Sequence, residues 1–102
     1  MQSIIEINKD RLTELCKSLN IKKMMVFGSA TSDKFTNNSD IDFLISFNDN
    51  ISFEEYTDNY FKLHYKLREI FKRDIDVVTE RTLTNPFFIK SVNKTKQLIY
   101  EA

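Results

Sequence analysis

Two rhythms of apolar and polar residues run along the chain. From Asp40 to Phe47 the sequence reads D-I-D-F-L-I-S-F. Ile41, Phe43, Ile45 and Phe47 share one side at a period of two, and Asp40, Asp42, Leu44 and Ser46 share the other, which predicts a strand. Asp74 to Thr79, D-I-D-V-V-T, opens the same way and predicts another. Met24-Met25-Val26-Phe27 is a short apolar run that follows Lys22-Lys23 and stops at Gly28, and it reads as a buried strand.

The second rhythm is helical. Over Ile4–Leu19 the apolar residues Ile5, Leu12, Leu15, Cys16 and Leu19 settle from Leu12 onward into spacings of three and four. Asn8 or Asp10 is a candidate cap and Asn20 a candidate stop. Ser52-Phe53-Glu54-Glu55 has the form of a capping box and starts a helix running to about Lys72. Its predicted apolar stripe is Phe53, Tyr56, Tyr60, Leu63, Leu67, Ile70 and Phe71. Asn85-Pro86 predicts a last helix, with proline in its first turn, carrying Phe87, Phe88, Ile89 and Val92. Leu98-Ile99-Tyr100 is either the end of that helix or a short edge strand. Ser29 to about Lys34 predicts one or two helical turns, and the polar stretch Phe35–Ser39 a loop. Helices alternating with strands imply an α/β (α+β) architecture, a small three-stranded mixed sheet with helices packed against it.

Length bounds this to one domain, residues 1–102. Fifteen basic and fifteen acidic residues cancel, which disfavours a general nucleic-acid or membrane binder. One cysteine, Cys16, and one histidine, His64, exclude an internal disulfide and a Cys/His zinc cluster. Cys16 reads as a small buried apolar residue and His64 as a boundary residue of the long helix. The N-terminal stretch has no signal-peptide pattern and no run approaches the length of a membrane span, so the expected location is cytoplasmic.

The acids give the chain its chemistry. Asp40 and Asp42 lie on one side of a predicted strand, with Cα atoms roughly 6.6–7 Å apart. Like charges that close repel unless a cation lies between them or one stays protonated. Oxygen-only ligands favour Mg²⁺, with Mn²⁺ possible, over zinc or copper. Asp76 brings a third carboxylate to the same place if its strand lies beside that of Asp42, and three carboxylates suit a two-metal phosphoryl or nucleotidyl transfer site. Asp74 competes for the third role, but it follows Lys72-Arg73 and has them as candidate ion-pair partners. Gly28-Ser29, at the end of a strand, lets backbone N–H groups approach a phosphate, since glycine has no Cβ. The alternative for Gly28 is a helix–strand packing glycine.

Gly28-Ser29, a spacer, and then Ser39-Asp40-Ile41-Asp42 resemble the minimal nucleotidyltransferase domains of the polymerase-beta-like nucleotidyltransferase superfamily. The resemblance extends to the later acid, the long helix between and the C-terminal N-P-F-F-I-K-S-V-N-K-T-K-Q-L-I-Y-E. It implies that Asp40, Asp42 and Asp76 are catalytic and bind two Mg²⁺ ions, that Gly28 and Ser29 contact the phosphates of ATP, and that the fold is the nucleotidyltransferase fold. Domains of this size resemble antitoxins paired with a helical HEPN-type ribonuclease, some of which transfer AMP to a tyrosine of that partner. Many relatives carry arginine and then glycine shortly after Gly-Ser, where this chain has Ser32 and Asp33, with Lys34 as a possible substitute cation. The leading expectation is therefore an enzyme moving a nucleoside monophosphate to a protein hydroxyl. A fold-retaining module that neutralises its partner by contact is the alternative, and transfer to a small molecule is disfavoured for want of a second domain to hold one.

Overall fold

The computed structural model describes residues 2–102. Four strands form one sheet: β1 (Ile21–Phe27), β2 (Ile41–Phe47), β3 (Ile75–Thr79) and β4 (Gln97–Glu101), in the order β3-β2-β1-β4. β1 runs antiparallel to both β2 and β4, and β2 runs parallel to β3. The sheet is mixed, as the alternating pattern implies. It has four strands, not the three expected, because the C-terminal segment whose sequence left two readings open pairs with β1 as an edge strand. β1 also starts at Ile21, three residues before the apolar run, because Ile21 pairs with Phe47 and Lys23 with Ser46 across an irregularity at Lys22 that leaves that lysine exposed.

Parallel β2 and β3 need a crossover. It is α3 (Phe53–Phe71), and the local sequence sets both its ends. The Ser52 hydroxyl accepts from the Glu55 N–H at 3.1 Å. The reciprocal half of a capping box is not made, because the Glu55 carboxylate accepts instead from Asn20 Nδ2 at 2.6 Å. Lys72 takes the left-handed conformation, φ 54°, and its N–H closes on Arg68 O at 2.8 Å.

The N-terminal helix is broken where the periodicity begins to falter. α1 (Ser3–Ile7) and α2 (Lys9–Ser18) meet at Asn8, whose side chain donates to Ile4 O at 2.8 Å and competes with continuation. Asn20 is left-handed, φ 57°, and turns the chain into β1. α4 (Pro86–Thr95) begins as expected, with the Asn85 side chain accepting from Phe87 N and Phe88 N.

Most of the core lies on one face of the sheet. Ile41, Phe43 and Ile45 of β2, Met24 and Val26 of β1, and Ile75 and Val77 of β3 pack with Leu12 and Cys16 of α2 and with Leu63 and Leu67 of α3. Phe43 is fully buried, worth about 1.5–3 kcal/mol relative to an exposed ring. Burial also pushes the Cys16 thiol up to about 12, so this cysteine is an inert packing group. The α3 stripe is narrower than its sequence pattern: Phe53 is 81% exposed. On the opposite face Phe27, Leu44 and Val92 form a small second cluster under α4. The rest of that face is more open, and it carries the acids.

Candidate active site

The site is built from the ends of three strands and the turn after one of them. Asp42 stands opposite Asp76 in the parallel β2–β3 register and opposite Phe27 in the antiparallel β1–β2 register. Residues paired across a ladder point to the same face, so both carboxyls share the open face of the sheet. Asp40 lies one residue before β2, on the loop that enters it. Asp42 is half-buried, while Asp40 and Asp76 are exposed.

The electrostatics follow from this crowding. Burial, a hydrogen bond shared with Asp76 and then the charges of Asp76 and Asp40 push the Asp42 carboxyl up to about 6. The ion pairs of the described residues join Lys22 to Asp49, Lys23 to Glu101, Lys66 to Glu69 and Arg68 to Asp74. None of these pairs reaches the three aspartates.

Gly28 opens a short 3-10 turn, Gly28–Thr31, immediately after β1. Its φ is +73°, and a Cβ built there would lie 2.6 Å from Asp42 Oδ2. The glycine is thus required by close approach of a carboxylate and by backbone conformation, more than by helix–strand packing. Its N–H donates to the Thr95 hydroxyl at 2.9 Å, tying the turn to the last residue of α4. The Gly28 N–H therefore already has a partner within the fold. Thr95 carries no motif signal, and only the tertiary fold brings it to this turn.

Asp74 does not enter the site. It pairs with Arg68 at 3.8 Å rather than with the adjoining Lys72 or Arg73, and its carbonyl accepts from Ile41 N at 3.2 Å. A cavity of about 670 Å³ at the other end of the sheet, lined in part by Phe47, Ile51, Tyr56 and Arg81, contains none of the three aspartates. With Asp40 and Asp76 exposed, the carboxylates stand on an open surface.

The donor set suits a hard divalent cation: two hydrogen-bonded carboxyls and a third whose charge acts on Asp42, all oxygen ligands. Among the described residues no three His, Cys, Asp or Glu side chains are already gathered as a metal-ligand set. Asp42 and Asp76 share a hydrogen bond, and Asp40 acts on Asp42 through its charge. The residues fit the cation, with Asp40 the one whose placement has to be controlled.

A mixed sheet with a β-α-β crossover, a Gly-Ser turn after its first strand and paired aspartates on the next two defines a nucleotidyltransferase fold. The family model described as Polymerase beta, Nucleotidyltransferase matches residues 10–102, and the chain belongs to that family. Its enzyme class is nucleotidyl transfer. A Methanocaldococcus jannaschii protein named as a "putative protein adenylyltransferase" is 30% identical over 102 residues, covering 98% of this chain and 96% of that one. Two solved structures share the fold. A toxin–antitoxin with AMP-PNP aligns at TM-score 0.71 and 20% identity, over 93% of this chain and 74% of that chain. A tri-AMPylated Shewanella oneidensis HEPN toxin in complex with its MNT antitoxin aligns at TM-score 0.65 and 17% identity, over 95% and 72%. Among the described residues no helix is long and apolar enough to cross a membrane.

Proposed function

We propose that residues 1–102 act as one minimal nucleotidyltransferase domain that moves AMP from ATP to a hydroxyl of a HEPN-type protein partner, with the antitoxin role this implies. One observation carries the reading: Asp42 and Asp76 sit opposite each other in register, against the turn of Gly28. Names of the similar proteins support the donor, the acceptor class and the partner.

In this reading Asp40, Asp42 and Asp76 hold two Mg²⁺ ions, and Mn²⁺ can replace them. Magnesium, when bound, neutralises charge on the α-phosphate and on the leaving pyrophosphate. The Gly28-Ser29 turn receives the phosphates. The acceptor oxygen forms its bond to the α-phosphorus as the bond to pyrophosphate breaks, and the hydroxyl proton passes to the exposed Asp76 carboxylate. The open surface of the site suits an acceptor that is itself a folded protein.

A second reading rests on the Gly28 N–H bound to Thr95 and on Ser32 and Asp33 at the places where relatives often carry arginine and glycine. It is a partner-neutralising module with weak or lost transfer. Incubation of the chain with labelled ATP, Mg²⁺ and its HEPN-type partner separates the two. Label on the partner, lost with Asp42→Asn or Asp76→Asn, supports the enzyme. A stable complex without label supports the module.

A further inference from the structure

We propose that Arg73 is a positioning residue for Asp40, setting the distance between the loop that carries it and the strand that carries Asp76. Arg73 lies between the left-handed cap of α3 and the first residue of β3. Its Nη1 donates to Thr36 O at 3.1 Å and to Ser39 O at 3.0 Å. Its guanidinium carbon stands 4.6 Å over the centre of the Phe35 ring. One side chain therefore grips residues 35, 36 and 39 of the loop, and the next residue is Asp40.

The use of this arginine is unusual. No ion pair of the described residues includes it, and the nearest acid in sequence, Asp74, is turned to Arg68. Its charge is instead placed on two backbone carbonyls and an aromatic face, and its Nε is buried with no hydrogen-bond partner. An unmet buried donor on a cation costs free energy. One Nη1, with its two N–H groups, serves both carbonyls while the guanidinium carbon lies over Phe35; a lysine ammonium is a more strongly hydrated point charge without the delocalised plane that favours an aromatic face. The Thr36–Ser39 turn is also closed by Ser39 N on Thr36 O at 3.1 Å, so the guanidinium locks a turn already formed. On the far side of Asp40, Ile41 N bonds Asp74 O. Asp40 is thus held from both sides by the segment that leads into Asp76: through Arg73 before it and through the Asp74 carbonyl after it.

This inference rests on the metal site proposed above, so the test reads metal binding and loop order separately. Mn²⁺ binding to the full chain is followed by electron paramagnetic resonance of the free ion, and amide hydrogen exchange is followed over residues 35–41. The chains compared are wild type, Arg73→Lys, Arg73→Met, Asp40→Asn and Asp40→Asn with Arg73→Lys. Expected are exchange at 35–41 raised by about tenfold in both arginine variants, unchanged exchange in β1, and Mn²⁺ affinity lowered about fivefold, in the range one misplaced ligand contact gives. The loss from Arg73→Lys should disappear in the Asp40→Asn background, because the arginine acts through that carboxylate. Equal losses with and without Asp40, or Mn²⁺ affinity unchanged in the arginine variants, overturn the proposal. Wild-type chain that binds no Mn²⁺ rejects the metal site instead; exchange at 35–41 then judges the arginine, and no rise overturns its role. If Arg73→Met fails to fold, Phe35→Leu removes the stacking partner and should give the same pattern at smaller amplitude.

Discussion

Gly28 and Asp42 are in contact through the space a side chain would fill: a Cβ on Gly28 would meet Asp42 Oδ2 at 2.6 Å. The one glycine in the chain therefore serves the carboxylate that follows it by fourteen positions. Gly28→Ala meets two penalties, a positive φ of +73° and displacement of Asp42. It should lower unfolding stability by about 1–3 kcal/mol, since a left-handed non-glycine residue alone costs roughly 1–2. Urea titration measures the loss. If Gly28 were only a packing glycine, Gly28→Ala in an Asp42→Ala background would be as costly as in wild type; if the contact matters, it is cheaper there.

The Asp42 carboxyl gives the fold a pH dependence of definite sign. Its folded value of about 6 lies above its ordinary 3.8, so the native state holds a proton that the unfolded chain releases more readily. Stability from this group is therefore full below about pH 4 and is lost as pH rises through about 6. In buffer with EDTA, Asp42→Asn should melt higher than wild type at pH 7.5 and nearly level with it at pH 4. The gain is on the order of 1 kcal/mol once the half-exposed position of the group is allowed for. A wild-type Tm higher at pH 7.5 than the variant's contradicts the assignment.

Asp76 and Asp74 look alike in sequence, and the sheet separates them. Asp76 faces Asp42 across the ladder, whereas Asp74 pairs with Arg68 at the strand mouth. Asp76→Asn should reduce nucleotidyl transfer by at least about 10³-fold, the order expected when a group required at the reacting centre is lost. Asp74→Asn should leave transfer within about threefold and stability within about 0.5–1 kcal/mol, as for an exposed ion pair. Single-turnover rates on the partner with labelled ATP decide it, and equal loss in both variants would remove the distinction.

What the sequence disclosed and what it hid divide along a physical line. β2 and β3 were legible because near-alternation over a half-buried sheet leaves a period of two, and Asp42 and Asp76 ride on it, whereas Asp40 falls on the loop before β2. Caps at Ser52, Asn85 and Asn20 were legible because their chemistry is local. β4 was ambiguous: it is an edge strand of five residues with only Ile99 buried, too little burial to impose a pattern. The break at Asn8 turned on a side-chain bond to Ile4 O that competes with helix continuation. Thr95 at the Gly28 N–H and Arg73 on the Thr36 and Ser39 carbonyls were invisible, because contacts 67, 37 and 34 residues apart leave no local trace.

β3 is an edge strand, and its outer backbone is covered by side chains from α3. The Tyr60 hydroxyl donates to Val77 O at 3.0 Å, and His64 Nε2 donates to Ile75 O at 2.9 Å. These two carbonyls flank Asp76, so the same bonds that protect an exposed edge hold the strand on both sides of the carboxylate. Tyr60→Phe keeps the ring and removes one bond. It should cost about 0.5–1.5 kcal/mol and raise amide exchange in β3, leaving β1 unchanged. Tyr60→Phe combined with His64→Leu should loosen β3 more than the sum of the singles, because either bond alone still anchors the strand. Transfer should fall with the loosening even though neither side chain reaches the reacting atoms. Loosened β3 with full transfer would show that the β2–β3 ladder alone holds Asp76 in place.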